Sequence, residues 1–112
     1  MDTLKTARFH AHVYFEASQY QIASQLRKEL AAHFELWLGR LFQQPVGPHP
    51  LPMFQVVFDA TQFAPLIMWL INNRRGLDVL VHQDTGDDLK DHTDHVMWLG
   101  NSHPLRLEAL RA

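Results

Sequence analysis

The alternation of apolar and polar positions near the start of the chain predicts a β-strand over residues 9–15. Four apolar residues alternate with four polar or aromatic ones: Phe9, Ala11, Val13 and Phe15 against His10, His12, Tyr14 and Glu16. Side chains two residues apart on a strand point to the same face, about 6.6 Å from one another. One face of this strand is therefore predicted to be core, and the other carries a pair of histidines.

The rest of the pattern predicts two helices and four further strands. Apolar residues at helical spacing predict a helix over residues 18–32, started by a capping box, and another from Thr61 to Gly76. The remaining strands are predicted over residues 34–42, 53–59, 77–82 and 95–99. Three prolines exclude regular structure from 45–50. The tail at 105–110 fits either a strand or a turn of helix.

The order βαββαβ with a short extra C-terminal strand is that of an α+β, ferredoxin-like sandwich. The first four strands would lie in the order 4-1-3-2, with both helices on one face of the sheet. The whole chain, residues 1–112, is predicted to form this single domain. The other face carries Met53, Val57 and Leu80, which are too apolar to leave in water. We therefore expect a homodimer of the dimeric α+β-barrel type.

The amino-acid composition excludes several kinds of site and partner. The chain has no cysteine, which excludes disulfides, thiolate zinc sites and cysteine nucleophiles. A net charge of -2 gives no electrostatic case for nucleic acid or an anionic membrane, and no apolar run is long enough to span a bilayer. No signal peptide is recognised, so a cytoplasmic location is expected. Eight histidines beside ten lysines and arginines are the unusual feature.

Strand parity brings several of these histidines together. Antiparallel pairing would place His82 and Asp59 beside the start of the first strand, so that both converge with His10 and His12 on the open face. Three imidazoles and a carboxylate suit a divalent ion such as Fe(II) or Zn(II). For any one of these histidines alone, a solvated surface residue is the commoner role. Asp59 fits a helix cap equally well, and Glu16 is a second candidate carboxylate.

Other residues are candidates for acid–base or binding roles. His49, fixed among prolines, and His95 are candidate acid–base groups. The loop of His49 is predicted at the far end of the sheet from His10, so it would reach the site only by folding back over the face or across a dimer. A polar loop is predicted at 84–88, and the segment Asp91–His95 reads as polar loop, site lid or additional ligand. Arg74 and Arg40 are candidate partners of a substrate carboxylate, although a solvated helix end explains Arg74 as well.

An ordered series of motifs resembles the DOPA 4,5-dioxygenase family over nearly the whole chain. The motifs are His10–Phe15, Pro45–Pro50, Met53–Phe54, Asn73–Arg74 with Gly76–Leu77, Val81–His82 with Thr85–Asp87, and Asp91–Thr93 with Trp98–Gly100. The resemblance implies a small dimeric protein that cleaves a catechol ring with O2 at non-haem iron. It points to His10, His12, His49 and His82 as functional histidines.

The preferred hypothesis is an Fe(II)-dependent extradiol dioxygenase acting on DOPA or a related catechol. His10, His12 and His82 would hold iron, with Asp59 or Glu16 as a further ligand. His49 or His95 would move a proton, Arg74 or Arg40 would pair with a substrate carboxylate, and Tyr14 would also contact the substrate. One rival is a non-catalytic dimeric module that binds a small molecule or metal through the same face. Another is a hydrolase that uses Zn(II) as a Lewis acid.

Overall fold

The computed structural model describes residues 7–110, in which five strands form one antiparallel sheet. The strands are β1 (Arg8–Tyr14), β2 (Trp37–Leu38), β3 (Met53–Asp59), β4 (Val79–Gln83) and β5 (Val96–Leu99). Their order across the sheet is β2-β3-β1-β4-β5, and all neighbours are antiparallel. The predicted α+β class and the order of the first four strands are confirmed. β5 extends the sheet beyond β4.

The helices are α1 (Tyr20–His33), α2 (Ala60–Asn73) and the short α3 (Asp88–Asp91), with single turns of 3-10 helix at Ala17–Gln19 and Leu107–Leu110. The tail predicted as strand or helix is thus helical, and α3, which was not predicted, joins the loop predicted at 84–88 to the segment Asp91–His95. α1 begins at Tyr20 and not at the predicted residue 18, because a 3-10 turn precedes it. In that turn Gln19 Oε1 accepts from the backbone N–H of Glu16 at 2.8 Å. Within the part of the chain that the structure describes, no helix combines the length and apolar content needed to cross a membrane.

Both long helices pack on one face of the sheet and bury the apolar parity set of the strands. Ala11 and Val13 of β1 are fully buried there, together with Leu26 and Leu30 of α1 and Leu70 of α2. This burial stabilises the fold by about 25 cal/mol for each Å² of apolar surface removed from water. The even-numbered residues of β1 are thereby directed to the opposite face, as the alternation predicts.

β2 is much shorter than the predicted strand over 34–42. Only Trp37 and Leu38 pair with β3, and Phe42 forms one isolated bridge with Met53. Arg27 of α1 contacts the chain where the ladder ends, and its guanidinium donates to the carbonyl of Gly39 at 2.7 Å and to that of Leu38 at 3.1 Å.

The face of the sheet opposite α1 and α2 is covered by the chain itself. Tyr14, Met53 and Leu80 are buried in a second apolar cluster, against Val46 and Leu51 of the proline-rich loop and other residues that include Leu105 of the C-terminal segment. The segment is tied to the loop where the N–H of Arg106 donates to the carbonyl of Pro48 at 2.8 Å. Exposure of Met53, Val57 and Leu80 was the physical reason for expecting a homodimer, and it was wrong for Met53 and Leu80, whereas Val57 is only partly buried. The homodimer itself stays a prediction.

Candidate metal and active site

Strand register brings three of the predicted histidines together. β1 and β4 pair so that His10 lies opposite His82, while His12 is two residues further along β1 on the same face. The Nε2 atoms of His12 and His82 are 3.0 Å apart, and the rings of His10 and His82 have centroids 5.1 Å apart. The predicted convergence of these three side chains is what the structure shows.

His49 joins them from the proline-rich loop. Its ring centroid lies 4.0 Å from that of His12, and its Nδ1 atom is 2.8 Å from the hydroxyl of Tyr14. The placement of this loop at the far end of the sheet was therefore wrong for the histidine itself. Of the two routes considered, the loop folds back over the sheet within one chain, held by Pro48 and the apolar contacts of its flanks.

His92 is the site residue that sequence reasoning did not single out. It follows α3, and its Nδ1 atom lies 2.7 Å from the carbonyl oxygen of Asp88, which aims the rest of the ring at the sheet. Its centroid is 4.2 Å from that of His82. The sequence signals were the His- and Asp-rich segment 91–95, for which a lid or an additional ligand was one of the interpretations, and the motif Asp91–Thr93.

These five side chains form what we call the histidine cluster: His10, His12, His49, His82 and His92. Two triads within it, His10–His12–His82 and His12–His49–His92, each offer ligand atoms that all lie within 4.8 Å of one another. His12 belongs to both. Three members are almost fully buried, with 3–4% of their surface exposed, whereas His10 and His92 are half-buried. The cluster therefore has a closed inner side and an accessible outer side.

Burial keeps the inner imidazoles neutral. It holds the pKa of His12 well below the ordinary value, helped by the neighbouring His49 and His82. It lowers the pKa of His49 to about 3 and that of His82 to about 4, and it lowers that of the half-buried His10 as well. A neutral imidazole has the free lone pair that a metal ion requires, so near neutral pH these side chains are in the ligating form.

The hydrogen bonds of the cluster leave a place for an ion. The Nδ1 atom of His82 donates to the carbonyl of Gln83 at 2.7 Å, so its Nε2 atom carries a lone pair and accepts from Nε2 of His12. His12 Nδ1 is then a lone pair, and among residues 7–110 it is the one buried side-chain nitrogen or oxygen without a hydrogen-bond partner. An unpartnered buried nitrogen costs about 1–3 kcal/mol, which a bound metal would offset. Imidazole donors suit iron and zinc alike, so the residues present fit such an ion.

The predicted carboxylates do not enter the cluster. Asp59 caps α2, where its Oδ1 atom accepts from the N–H groups of Thr61 at 2.9 Å and Gln62 at 3.2 Å. Glu16 is exposed at the start of the 3-10 turn before α1. Asp84 does lie beside the cluster, with its Oδ2 atom 3.5 Å from His10 Nε2. The structure thus supplies histidines where a carboxylate ligand was expected.

We expect the Asp59→Ala variant to lower the free energy of unfolding by about 1–2 kcal/mol, because α2 loses its N-terminal cap. Its affinity for metal should equal that of the wild type, because the side chain is engaged away from the histidines. Urea unfolding and a chelator competition assay measure the two effects. Weakened metal binding at unchanged stability would instead return Asp59 to the ligand set.

The remaining candidates lie outside the cluster. His95 is bound to the buried carboxylate of Asp91, with Nδ1 and Oδ1 2.9 Å apart. Arg74 donates to the carbonyl of Leu77 at 2.8 Å, and the guanidinium of Arg40 lies over the ring of Phe42. Within residues 7–110 neither arginine makes an ion pair or hydrogen bond with the five histidines. Tyr14, expected at the substrate, is buried behind His49.

Comparison with known proteins shows which family the sequence matches. The sequence model of the Dopa 4,5-dioxygenase family matches residues 9–109. The chain is 35% identical to an uncharacterized 21.2 kDa protein of Botryotinia fuckeliana over 92% of its own length and 63% of that protein. It is 33% identical to a DOPA 4,5-dioxygenase of Amanita muscaria, over 91% of its own length and 49% of the relative. The chain thus spans less than two thirds of each of these relatives.

A solved structure shares the fold throughout. It is the crystal structure of a protein of Nostoc punctiforme provisionally assigned as a dioxygenase, with a TM-score of 0.92 and 49% sequence identity. The match covers 99% of this chain and 96% of the other. The likeness therefore extends over the sheet, both long helices and the segments that carry the histidines.

Proposed function

The chain belongs to the Dopa 4,5-dioxygenase family, and on that premise we propose that it cleaves the aromatic ring of a catechol with O2 at non-haem iron. The observation that carries the proposal is the histidine cluster, whose inner imidazoles are neutral and in which the Nδ1 atom of His12 is buried without a hydrogen-bond partner. Such a donor set suits a divalent metal and has no evident structural use without one.

The ligands we propose are His10, His12 and His82, which two paired strands hold in register. Bound iron would supply the means for a catechol and O2, which do not react readily by themselves, to exchange electrons. Ring cleavage consumes one O2 per catechol, breaks one carbon–carbon bond beside the diol and places both oxygen atoms in the product. No further reductant is required.

The burial of the cluster determines how a substrate would approach. His12, His49 and His82 form the closed inner side, whereas the half-buried His10 and His92 border the accessible side. We propose that the catechol enters between these two residues and that the inner imidazoles restrict water around its oxygens. A site shielded from water strengthens each hydrogen bond made to a developing negative charge.

One chain contains all the histidines of the proposed site. All five histidines of the cluster are supplied by β1, β4, the proline-rich loop and the segment that follows α3. A homodimer remains part of the proposal as the assembly that the family resemblance implies. It is not needed to bring a ligand into the site.

The decisive measurement is oxygen consumption by iron-loaded protein. Protein stripped with a chelator is reconstituted anaerobically with Fe(II), and catechols are added in an oxygen electrode, beginning with DOPA because the Amanita relative carries that name. We expect uptake of one O2 per catechol and a yellow ring-opened product. Protein loaded with Zn(II) should bind the ion and consume no oxygen.

The His33→Ala variant serves as the matched control. His33 ends α1 with its ring beside Trp69 on the helical side of the sheet, so its loss should leave turnover unchanged. If protein with stoichiometric iron consumes no oxygen with any catechol, the dioxygenase proposal is wrong and a binding module is favoured. Hydrolytic activity with Zn(II) alone would favour the Lewis-acid alternative.

A further inference from the structure

The hydrogen-bond partners of a neutral histidine reveal which of its ring nitrogens carries the hydrogen. A backbone carbonyl can only accept, so a ring nitrogen that faces one must be an N–H group. A phenol that has no other partner must donate, so a ring nitrogen that faces it is a lone pair. The histidines of the cluster differ in this respect.

His82 and His92 have the arrangement typical of metal ligands. The Nδ1 atom of each lies 2.7 Å from a backbone carbonyl oxygen, of Gln83 and Asp88 respectively. Both therefore carry hydrogen on Nδ1 and a lone pair on Nε2. Metal-binding histidines commonly donate their second N–H to a carbonyl or carboxylate in this way, which fixes the ring and frees the other nitrogen.

His49 has the opposite arrangement. Its Nδ1 atom faces the Tyr14 hydroxyl at 2.8 Å, and within residues 7–110 that hydroxyl makes no other hydrogen bond. Tyr14 is 1% exposed, and a phenol, with an ordinary pKa of about 10, is protonated near neutral pH. If His49 were the donor, the buried phenolic hydrogen would lack an acceptor, at a cost of about 1–3 kcal/mol. Tyr14 therefore donates, and the hydrogen of His49 is on Nε2.

We propose that Tyr14 holds His49 as an Nε2–H donor, so that His49 binds an anionic oxygen of the substrate and is not a metal ligand. Tyr14 is then a positioning residue. In the triad His12–His49–His92, it is His92 whose Nε2 lone pair is free to bind a metal beside His12. The substrate part of this inference rests on the proposed function, whereas the assignment of hydrogens does not.

The first test needs no turnover. Long-range proton–nitrogen NMR of uniformly labelled protein, metal-free and loaded with diamagnetic Zn(II), reports which nitrogen of each histidine is protonated. We expect His49 to be protonated on Nε2 in the wild type and to lose this preference in Tyr14→Phe, while His82 stays protonated on Nδ1 in both. Protonation of His49 on Nδ1 in the wild type would overturn the proposal.

Metal affinity provides the second test. His49→Gln keeps an N–H donor near the position of Nε2, and we expect its Zn(II) affinity to stay within about threefold of the wild type. His92→Ala should weaken Zn(II) binding by about 10-fold or more. Losing a residue that only supports a metal ligand already has an effect of this size, and losing the ligand itself should have at least as large an effect. Loss of metal by His49→Gln, in protein whose thermal unfolding stays cooperative, would show that His49 is a ligand.

Turnover is measured last, if a catechol substrate is found. Tyr14→Phe should lower kcat by about 10–100-fold with KM and iron content unchanged. This decrease is somewhat smaller than the one expected when a hydrogen-bond donor to the transition state is removed completely. His49→Gln should retain more activity than His49→Asn, whose amide is shorter and cannot reach the position of Nε2. Equal loss in the two variants would contradict the donor role, and the NMR and affinity results stand whether or not any catechol is turned over.

Discussion

We expect the His12→Ala variant to lose metal binding at both triads and, with it, all oxygen consumption. His12 is the one side chain that both triads share, so neither triad retains three imidazoles without it. Removing an outer partner of a ligand typically costs 10–100-fold in metal affinity, and removing the ligand itself should cost at least about 100-fold. Competition with a chromogenic chelator measures this loss directly.

The fold should survive this substitution in the metal-free protein. The alanine leaves a cavity, but it also removes the buried Nδ1 atom that has no partner, and these effects on the free energy of unfolding have opposite signs. We expect thermal unfolding of metal-free wild type and variant to differ far less than that of the metal-loaded proteins, because only the wild type gains stability from the ion.

Two further variants make the result interpretable. His10→Ala removes a half-buried member of one triad, so it should weaken binding without abolishing it, because His12, His82 and the neighbouring His92 remain to hold the ion. His33→Ala, at the exposed end of α1, should change neither affinity nor activity. Tight stoichiometric binding by His12→Ala would show that the ion is held elsewhere in the chain.

How far the site could be predicted depends on which physical rule places each residue. The period of two along a strand and the antiparallel order of a ferredoxin-like sheet are enough to bring His10, His12 and His82 together. Both rules act on backbone geometry, which packing against the helices fixes strongly. For that reason the prediction for these three side chains agrees with the structure.

Asp59 shows where the same rule is insufficient. Its Cα lies opposite Arg8, on the strand face that parity assigns to it. Its carboxylate nevertheless turns to the first N–H groups of α2, which have no partner within the helix. Local hydrogen bonding of a short acidic side chain competes with any distant ligand role, and the following Thr61 was the sequence signal for the cap.

The positions of His49 and His92 depend on loop conformation, which no periodic pattern in the sequence predicts. Contacts of Val46 and Leu51 with the second apolar cluster fold the proline-rich loop over the sheet. The choice of His92 over His95 has a local cause, since Asp91 and His95 are four residues apart and pair with each other. His92 is then left to face His82. Spacing of this kind could have favoured His92 from the sequence.

The Asp91→Asn variant should lose about 2–4 kcal/mol of stability, the second large effect we expect. The Asp91 carboxylate is buried and accepts three hydrogen bonds, from Thr85 N and Oγ1 at 2.7 Å each and from His95 Nδ1 at 2.9 Å. Burial alone would raise the pKa of this carboxyl, but the hydrogen bonds lower it below its ordinary value, so the side chain is ionised near neutral pH. An amide loses the charge and replaces one acceptor oxygen by an NH2 group, so the charge-assisted bonds are lost and Thr85 Oγ1 and His95 Nδ1 can stay bound to that group only as acceptors.

The same substitution should weaken metal binding by about 10–100-fold, because Asp91 anchors the segment that presents His92 to His82. Urea unfolding of metal-free protein and chelator competition separate the two effects. Asp94→Asn is the matched control, since Asp94 is exposed on the same segment and its loss should change neither quantity. A loss of stability in Asp91→Asn with full metal affinity retained would contradict this role. That result would show that the segment is only structural and that His92 does not hold the ion, because a ligand that loses its support binds less tightly.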